Sequence, residues 1–347
     1  MTIANNLSMS SKPAAEPDND STQLVQDEIL ELEARLARAK ARLKKAHDTN
    51  PVISGAAPHD ARPTVSQQQE QTSFTLASRP TPPDTTTHFL LLLSDSALPL
   101  GSFAFSSGLE SYLAHSRANS FRPSSQTGGH AIAPFDLFLP LSLSSYASTT
   151  LPFLLAAHRS PARLAELDDA LDAAVVCTVG KRASTAQGRA LLGIWDRSFA
   201  LSSSFALLSS SSSSSSSQEA LQALASYSEL LRSPTLPGDG TGLAPVAAHL
   251  APLFGLITSI VGLSLHQAAY VFMLGHVKAL VSAAVRANLM GPYAAQKVLA
   301  SADTQAMITA AIEREWDTPP EEAGQSVPVM DLWVGRHELL YSRIFNS

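Results

Sequence analysis

A long charge-free stretch limits the possible folds more than any other feature of the sequence. Residues 240–277 contain no Asp, Glu, Lys or Arg, and most of them are apolar. The segment LAPVAAHLAPLFGLITSIVGL within this stretch has about the length of a bilayer-spanning helix, so a membrane-embedded helical protein is one interpretation. Against it, Pro245 and Pro252 interrupt the segment, and Lys278 and Arg286 enter the next apolar stretch, where charge in lipid is costly. A helix that is apolar on most sides also suits the centre of a soluble bundle, and we favour that interpretation.

The remaining pattern from Phe89 onward is helical, and no run with a period of two indicates a strand. Leu164, Leu167 and Leu171, for example, form one apolar helix face. We therefore predict an all-α fold, with one compact multi-helix domain over 88–347. The expected helices cover 161–179, 182–199 and 305–316, together with a helix that restarts at Pro292 after Gly291 and a final helix from Val327 to Ser347.

Residues 1–87 differ in composition from the rest of the chain. Pro, Ser, Thr, Gln and Asp dominate most of this segment, which predicts a disordered N-terminal extension. Within it, residues 24–46 carry apolar side chains at heptad spacing, so this short helix either pairs with itself or a partner, or is a solvated helix in a tail. Two polar insertions, 116–134 and 200–217, are expected to form surface loops.

Charge and cysteine content exclude several classes of protein. The net charge of −6 gives no basic excess for nucleic acid, so no nucleic-acid partner is expected. A single cysteine, Cys177, permits neither an intramolecular disulfide nor a CxxC zinc site. No secretory leader is evident at the start of the sequence, so we expect a cytoplasmic location without membrane attachment.

The sequence offers no motif for catalysis or for a resident cofactor. The Walker A pattern, the GxSxG elbow and HExxH are all absent. His266 and His276, if they share one helix, would lie about 15 Å apart along its axis, too far to share a metal ion. We therefore expect no catalytic residue and no metal site. A hydrolase is the competing hypothesis, and it requires a nucleophile that meets His and Asp in space.

Four motifs, in order along the chain, resemble those of one known family. LLLLSDSALPLGSFAFSSGLESYLAH (90–115) resembles the pattern LLxLsDsxLPiGgFxxSxGLE of UreF-type urease accessory proteins. KRASTAQGRALL (181–192) resembles their central helix, and 253–299 resembles their long apolar segment. HELLYSRIFNS (337–347) resembles their ending, LYSRLFxS. The polar insertions are similar to those expected of a fungal member.

This resemblance implies an all-helical homodimer that is not an enzyme. Its expected partners are a UreD/UreH-type accessory protein, a UreG-type GTPase and apo-urease. Nickel would pass through the assembly only in transit, with the chain serving as a scaffold or a regulator of the GTPase. The alternative is a helical membrane-associated or generic interaction module unrelated to urease.

Polar residues within apolar helices are the candidate contacts for partners, because buried polar groups need hydrogen-bonding partners. One hypothesis pairs Tyr112 with Arg343 to order the C-terminal helix for the UreD-type protein. A second groups Arg286, Gln296 and Lys297 at a dimer or GTPase face. The full set of predicted partner-binding residues is Glu110, Tyr112, Arg286, Gln296, Lys297, Tyr341 and Arg343.

The opening motif also carries a packing prediction. Phe103, Phe105, Leu109 and Leu113 should pack inward, and Gly108 should allow close helix approach. Glu110 and Tyr112 are then left to reach the C-terminal segment or a partner.

Overall fold

The structure is a computed structural model that describes Lys40 and residues 84–119, 133–202, 205, 215–233 and 246–347. The chain divides into two units, Met1–Leu76 and Ala77–Ser347. Apart from Lys40, which is helical, the predicted heptad segment 24–46 lies outside the described residues. So do residues 120–132 and most of 203–214, the larger part of the two predicted insertions.

The described residues form helices and contain no strand, which confirms the all-α prediction for this part of the chain. A π-helical turn, Trp195–Phe199, follows the α-helix of the second unit that ends at Ile194. Short 3-10 turns occupy 102–104, 161–163, 320–322 and 337–339. The α-helices of this unit are α1 Thr85–Ser94, α2 Leu109–Asn119, α3 Ala133–Arg159, α4 Leu164–Ala174, α5 Thr178–Ile194, α6 Ser215–Arg232, α7 Leu250–Ile260, α8 Leu265–Arg286, α9 Pro292–Leu299, α10 Ala302–Glu315 and α11 Val329–Arg336.

Helix α7 lies at the centre of the domain and comes from the charge-free stretch. Nearly every one of its residues is buried, and α3, α4, α5, α6 and α8 pack around it. The stretch is not one continuous span, because residues 246–249 precede α7 without helical structure and Gly262 turns the chain at φ +80°. Among the described helices only α8 is long and apolar enough to cross a bilayer, and 56% of its apolar window is buried inside the fold. The core helix of a bundle can be equally long and apolar, so the length and composition of α8 are weak evidence for a membrane span.

Two glycines let the central helices approach at backbone distance. A Cβ on Gly255 of α7 would lie well inside van der Waals contact of the Leu154 carbonyl oxygen on α3. A Cβ on Gly188 of α5 would meet the Ala248 carbonyl oxygen in the same way. Protein interiors pack at crystal-like density, so a larger residue at either position would have to displace backbone.

The buried carboxylate of Asp168 fixes the segment that leads into α7. Its Oδ2 accepts the backbone N–H groups of Ala247 and Ala248 at 2.7 and 3.1 Å, and its Oδ1 accepts that of His249 at 2.7 Å. Ala248 has a left-handed φ of +69°, which is unfavourable for a residue with a Cβ. Burial, together with the neighbouring Asp168 charge, raises the pKa of Tyr227, whose hydroxyl oxygen accepts the N–H of Ala248 at 3.0 Å. These bonds compensate for the strained backbone.

Three helix predictions are confirmed and one is too long. Helix α5 with its π turn covers 182–199, α10 contains 305–315, and α9 begins at Pro292 after its N-cap Gly291. The helix expected over 161–179 instead ends at Ala174, and a new helix begins at Thr178. The two β-branched residues between them, Val175 and Val176, have low helix propensity.

The final helix predicted to run to Ser347 is wrong beyond Leu339. Helix α11 ends at Arg336, a 3-10 turn follows, and residues 340–347 are not helical. Backbone N–H groups in this tail bond to other parts of the fold, which offer an alternative to helical bonding. The prediction that Phe103 packs inward is also wrong, because its side chain is 64% exposed, whereas Leu109 and Leu113 are buried as expected.

The close crossing of α7 and α3 predicts opposite effects for two glycine substitutions. Gly255→Ala should lower the free energy of unfolding by about 1–3 kcal/mol, since backbone must move to admit the methyl group. Gly275→Ala on α8 is the matched control: its Cβ would meet nothing within 4 Å, and it should raise stability by roughly 0.5–1 kcal/mol. Urea unfolding followed by circular dichroism would measure both, and changes of the same sign and size would contradict the packing described here.

Candidate partner-binding site

The loop before α2 and the C-terminal tail hydrogen-bond to each other. The N–H of Asn346 donates to the Ala104 carbonyl at 2.8 Å, and the N–H of Ser106 donates to the Ser347 carbonyl at 2.8 Å. The Ser106 hydroxyl donates to the same Ser347 oxygen. The first and last motifs of the sequence therefore form one structural unit, which we call the loop–tail site (residues 101–112 and 337–347).

Glu110 holds the tail in place. In the first turn of α2, its Oε1 accepts the N–H of Ile344 at 2.7 Å, and its Oε2 accepts the N–H of Phe345 at 3.2 Å. Oε2 also bonds to Nε2 of His337 at 2.8 Å. The side chain of His337 is fully buried, that of Glu110 is 12% exposed, and hydrogen bonds to an ionised group are stronger than neutral ones. The expected reach of Glu110 toward the C-terminal segment is therefore present in the structure.

Gly108 allows the start of α2 to lie against α11. Its φ is +88°, and a Cβ at this position would be 3.1 Å from both the backbone nitrogen and a methyl group of Val334. Both the left-handed φ and the narrow space favour glycine. The predicted close approach at Gly108 is confirmed.

Tyr112 contributes to packing and does not contact Arg343. Its ring centroid lies 4.8 Å from that of Trp333 and 5.2 Å from that of Phe138, joining α2, α11 and α3. Arg343 instead donates from Nη1 to Glu338 at 2.8 Å. The structure thus does not form the Tyr112–Arg343 pair proposed from the sequence, although both residues belong to the loop–tail site.

Arg182, which the sequence patterns did not single out, connects the central motif to the tail. Its guanidinium bonds to Glu338 and to the Asn346 carbonyl. Hydrogen bonds from Arg182 and then from Arg343 hold the pKa of Glu338 below its usual range. The presence of Arg182 inside a recognised motif was the one signal that could have identified it.

Arg286 of α8 contacts both the loop and the tail. It donates to the Phe103 carbonyl, and its guanidinium carbon lies 4.3 Å from the centroid of the Phe345 ring, a cation–π contact. Gln296 and Lys297 are exposed on α9 and share no contact with Arg286 in the described part of the chain. The predicted cluster of these three residues is therefore not formed.

The loop–tail site presents apolar side chains to solvent. Tyr341 is fully exposed, Leu339 is 80% exposed, and neither side chain is required by the core. Large exposed apolar groups concentrated in one part of a fold are typical of an interaction surface. The exposed apolar set on this site and on the neighbouring α11 comprises Phe103, Leu332, Leu339, Tyr341 and Ile344.

A second polar cluster brings together Ser, His and Asp. Nδ1 of His249 lies 3.0 Å from the Ser184 hydroxyl, and Nε2 lies 3.1 Å from Asp172. Burial alone would raise the pKa of Asp172, but hydrogen bonds from Lys181 and His249 outweigh it and the pKa is lowered. The hydroxyl oxygen of Ser184 also accepts the N–H of Leu250 at 3.3 Å, so it caps the first turn of α7. These bonds favour a structural role, although the residue types are those that the hydrolase hypothesis requires.

Potential metal ligands are dispersed in the described ranges, where no group of three His, Cys, Asp or Glu residues could hold an ion. His266 and His276 both lie on α8, but they face different neighbours. The His266 ring stacks on Trp316 and the His276 ring stacks on Tyr146.

The chain is similar in sequence to several urease accessory proteins. The urease accessory protein UreF-like of Schizosaccharomyces pombe, described as uncharacterized, is 36% identical over 263 residues, covering 76% of this chain and 98% of the relative. Urease accessory protein F of Oryza sativa subsp. indica is 30% identical over 260 residues, covering 73% and 82%. Urease accessory protein 6 of Cryptococcus neoformans var. grubii is 28% identical over 321 residues, covering 75% and 96%. The all-α domain with its loop–tail site is thus of the urease accessory class.

The family follows from the same comparisons. The family model for UreF matches residues 134–303, which include the central helices α3 to α9. The chain belongs to the UreF family of urease accessory proteins, as the four sequence motifs indicated.

The Ser184 cluster gives a test of the hydrolase hypothesis. We expect no labelling of Ser184 by a fluorophosphonate reagent, and we expect Ser184→Ala to lower stability by about 0.5–2 kcal/mol through loss of the helix cap. Thr185→Ala is the control, because that hydroxyl bonds only to the Arg182 carbonyl of its own helix. Mass spectrometry would detect labelling, and a Ser184 adduct that disappears in His249→Gln would show an activated nucleophile instead.

Proposed function

We propose that the chain is a non-enzymatic scaffold in urease maturation. In this proposal it binds a UreD/UreH-type accessory protein and recruits or regulates a UreG-type GTPase, so that nickel reaches apo-urease. Membership of a urease accessory family supports a role of this kind. Nickel is the cargo of the assembly rather than a resident cofactor of this chain.

One observation carries the proposed mode of binding: Glu110 holds the tail while the side chains of Leu339, Tyr341 and Ile344 face solvent. Ordering a flexible segment before binding removes part of the entropic cost of association. Exposed Tyr and Leu side chains can then enter a partner without rearranging the domain, and aromatic residues are enriched among energetically dominant interface positions. The loop–tail site therefore suits the UreD/UreH-type protein best.

The predicted partner-binding residues take different roles in this proposal. Tyr341 and Arg343 contact the partner directly, while Glu110 and Tyr112 position the segments that carry them. Arg286 couples the loop to the tail from α8.

Gln296 and Lys297 are both exposed on α9, away from the bonds that hold the tail. They are the proposed contacts for the GTPase or for a second copy in a homodimer. We further propose that the protein acts in the cytoplasm, without nucleic-acid or membrane partners.

Removing apolar groups from the loop–tail surface should abolish binding of the UreD/UreH-type protein. The double substitution Leu339→Ser and Tyr341→Ser should reduce co-purification at least tenfold, since central apolar anchors typically contribute about 2 kcal/mol or more each. Circular dichroism should remain unchanged because both side chains are exposed. Cells carrying the variant should keep urease protein but lose urease activity.

A matched control distinguishes this surface from apolar exposure in general. Leu137→Ser with Leu201→Ser replaces two large apolar residues that are 67% and 78% exposed and that lie outside the loop–tail site and outside α9. This variant should co-purify with the partner like the unsubstituted protein. Equal recovery of the partner by both double variants would overturn the proposed binding surface.

A further inference from the structure

A cavity of about 350 Å³ lies inside the domain and borders the loop–tail site, because Ser102, Phe105, Ser107 and Ser347 are among the residues that line it. Helices α3, α5 and α8 form its main walls, and the α4–α5 junction contributes Val176. Val176 is 86% exposed and Gly275 is also exposed. Since both residues line the cavity, it opens to the surface beside them.

Three polar groups line the cavity without a hydrogen bond to another described residue. The rings of Tyr146 and His276 stack at 4.0 Å with an interplanar angle of 8°, and Nε2 of His276 is paired with the Ser142 hydroxyl at 2.9 Å. No hydrogen bond from the described residues occupies the Tyr146 hydroxyl, the Ser145 hydroxyl or Nδ1 of His276, and all of these residues line the cavity. Hydroxyl and imidazole groups that line a cavity without a protein partner are available to a molecule bound there.

The cavity wall contains few charged side chains. Burial lowers the pKa of His276 to about 3 and raises the pKa of Tyr146, so both are neutral at physiological pH. No Lys or Arg is among the residues that line it, and its one carboxylate, Asp331, already accepts a hydrogen bond from Gln325 at 3.0 Å. An anion entering this space would lose hydration without gaining a counter-charge.

Most of the remaining lining is apolar. Leu250 and Phe254 of α7, with Phe272 of α8, provide large hydrophobic surfaces. A mainly apolar cleft with a few convergent polar groups is typical of small-molecule sites.

We propose that this cavity binds an uncharged amphipathic small molecule, with an apolar body and one hydroxyl or carbonyl group that hydrogen-bonds to Tyr146, Ser145 and His276. The proposed ligand is additional to the scaffold function and does not depend on it, although the cavity shares Ser102, Phe105, Ser107 and Ser347 with the loop–tail site. A molecule bound between α3, α5 and α8 would stabilise the folded domain by mass action.

Two probes of equal chain length test the chemistry of the site. Isothermal titration of the full-length protein with 1-octanol should show saturable binding. Octanoate should bind at least tenfold more weakly, because it carries a negative charge into a wall that has no Lys or Arg. No detectable octanol binding, or octanoate binding as tightly as octanol, would overturn the proposal, and the first result would mean that the cavity holds water only.

Two variants locate the binding within the cavity. Tyr146→Phe should weaken octanol binding about fivefold by removing one hydrogen bond, and Ala279→Phe should abolish it by filling the space. Ala300→Phe at the exposed end of α9 is the control for the added ring and should bind like the unsubstituted protein. If Ala279→Phe fails to fold, Tyr146→Phe still decides. Unchanged octanol affinity in Tyr146→Phe and in any folded Ala279→Phe would refute this location.

Discussion

The carboxylate of Glu110 is the interaction on which the candidate site depends. It accepts the N–H groups of Ile344 and Phe345 and bonds to the buried His337 ring, so one side chain fixes the course of the tail. Without such an acceptor, the N–H groups of an irregular, partly buried segment would lose hydrogen bonds to water without replacement. Tail, loop and α11 therefore form a unit whose backbone is held by hydrogen bonds while several of its apolar side chains, Leu339, Tyr341 and Ile344 among them, are exposed.

A second carboxylate, that of Asp168, likewise accepts backbone N–H groups, but in the core. Asp168 accepts three backbone N–H groups from the residues just before α7. Gly188 allows α5 to lie against this segment, and Gly255 allows α7 to lie against α3. In both places a negatively charged side chain stabilises a chain segment that cannot satisfy its own donors. The two sites differ in what they support: Asp168 positions the central helix, and Glu110 positions a surface. This division explains how a domain with a rigid apolar centre can present a partly irregular segment for recognition.

Helical periodicity was enough to predict the fold class, and the four motifs identified the family, because both signals are local in sequence. The reach of Glu110 to the tail and the close approach at Gly108 could be expected from residue type and motif. The end of the last helix could not, since the tail bonds to residues more than 200 positions away, and neither could the exposure of Phe103. The roles of Asp168 and Arg182 likewise depend on partners that the sequence places 79 and 156 residues away. Hydrophobic patterning carries no information on such pairings.

Amide hydrogen exchange of the tail tests the central claim most directly. In Glu110→Ala the amides of Ile344 and Phe345 should lose protection, whereas those of α7 should keep it, because the core does not use this carboxylate. Asp136→Ala is the matched control: Asp136 is also an acid in the first turn of a helix, but it is exposed, and its removal should leave the tail protected. Full protection of Ile344 and Phe345 in Glu110→Ala would contradict the account.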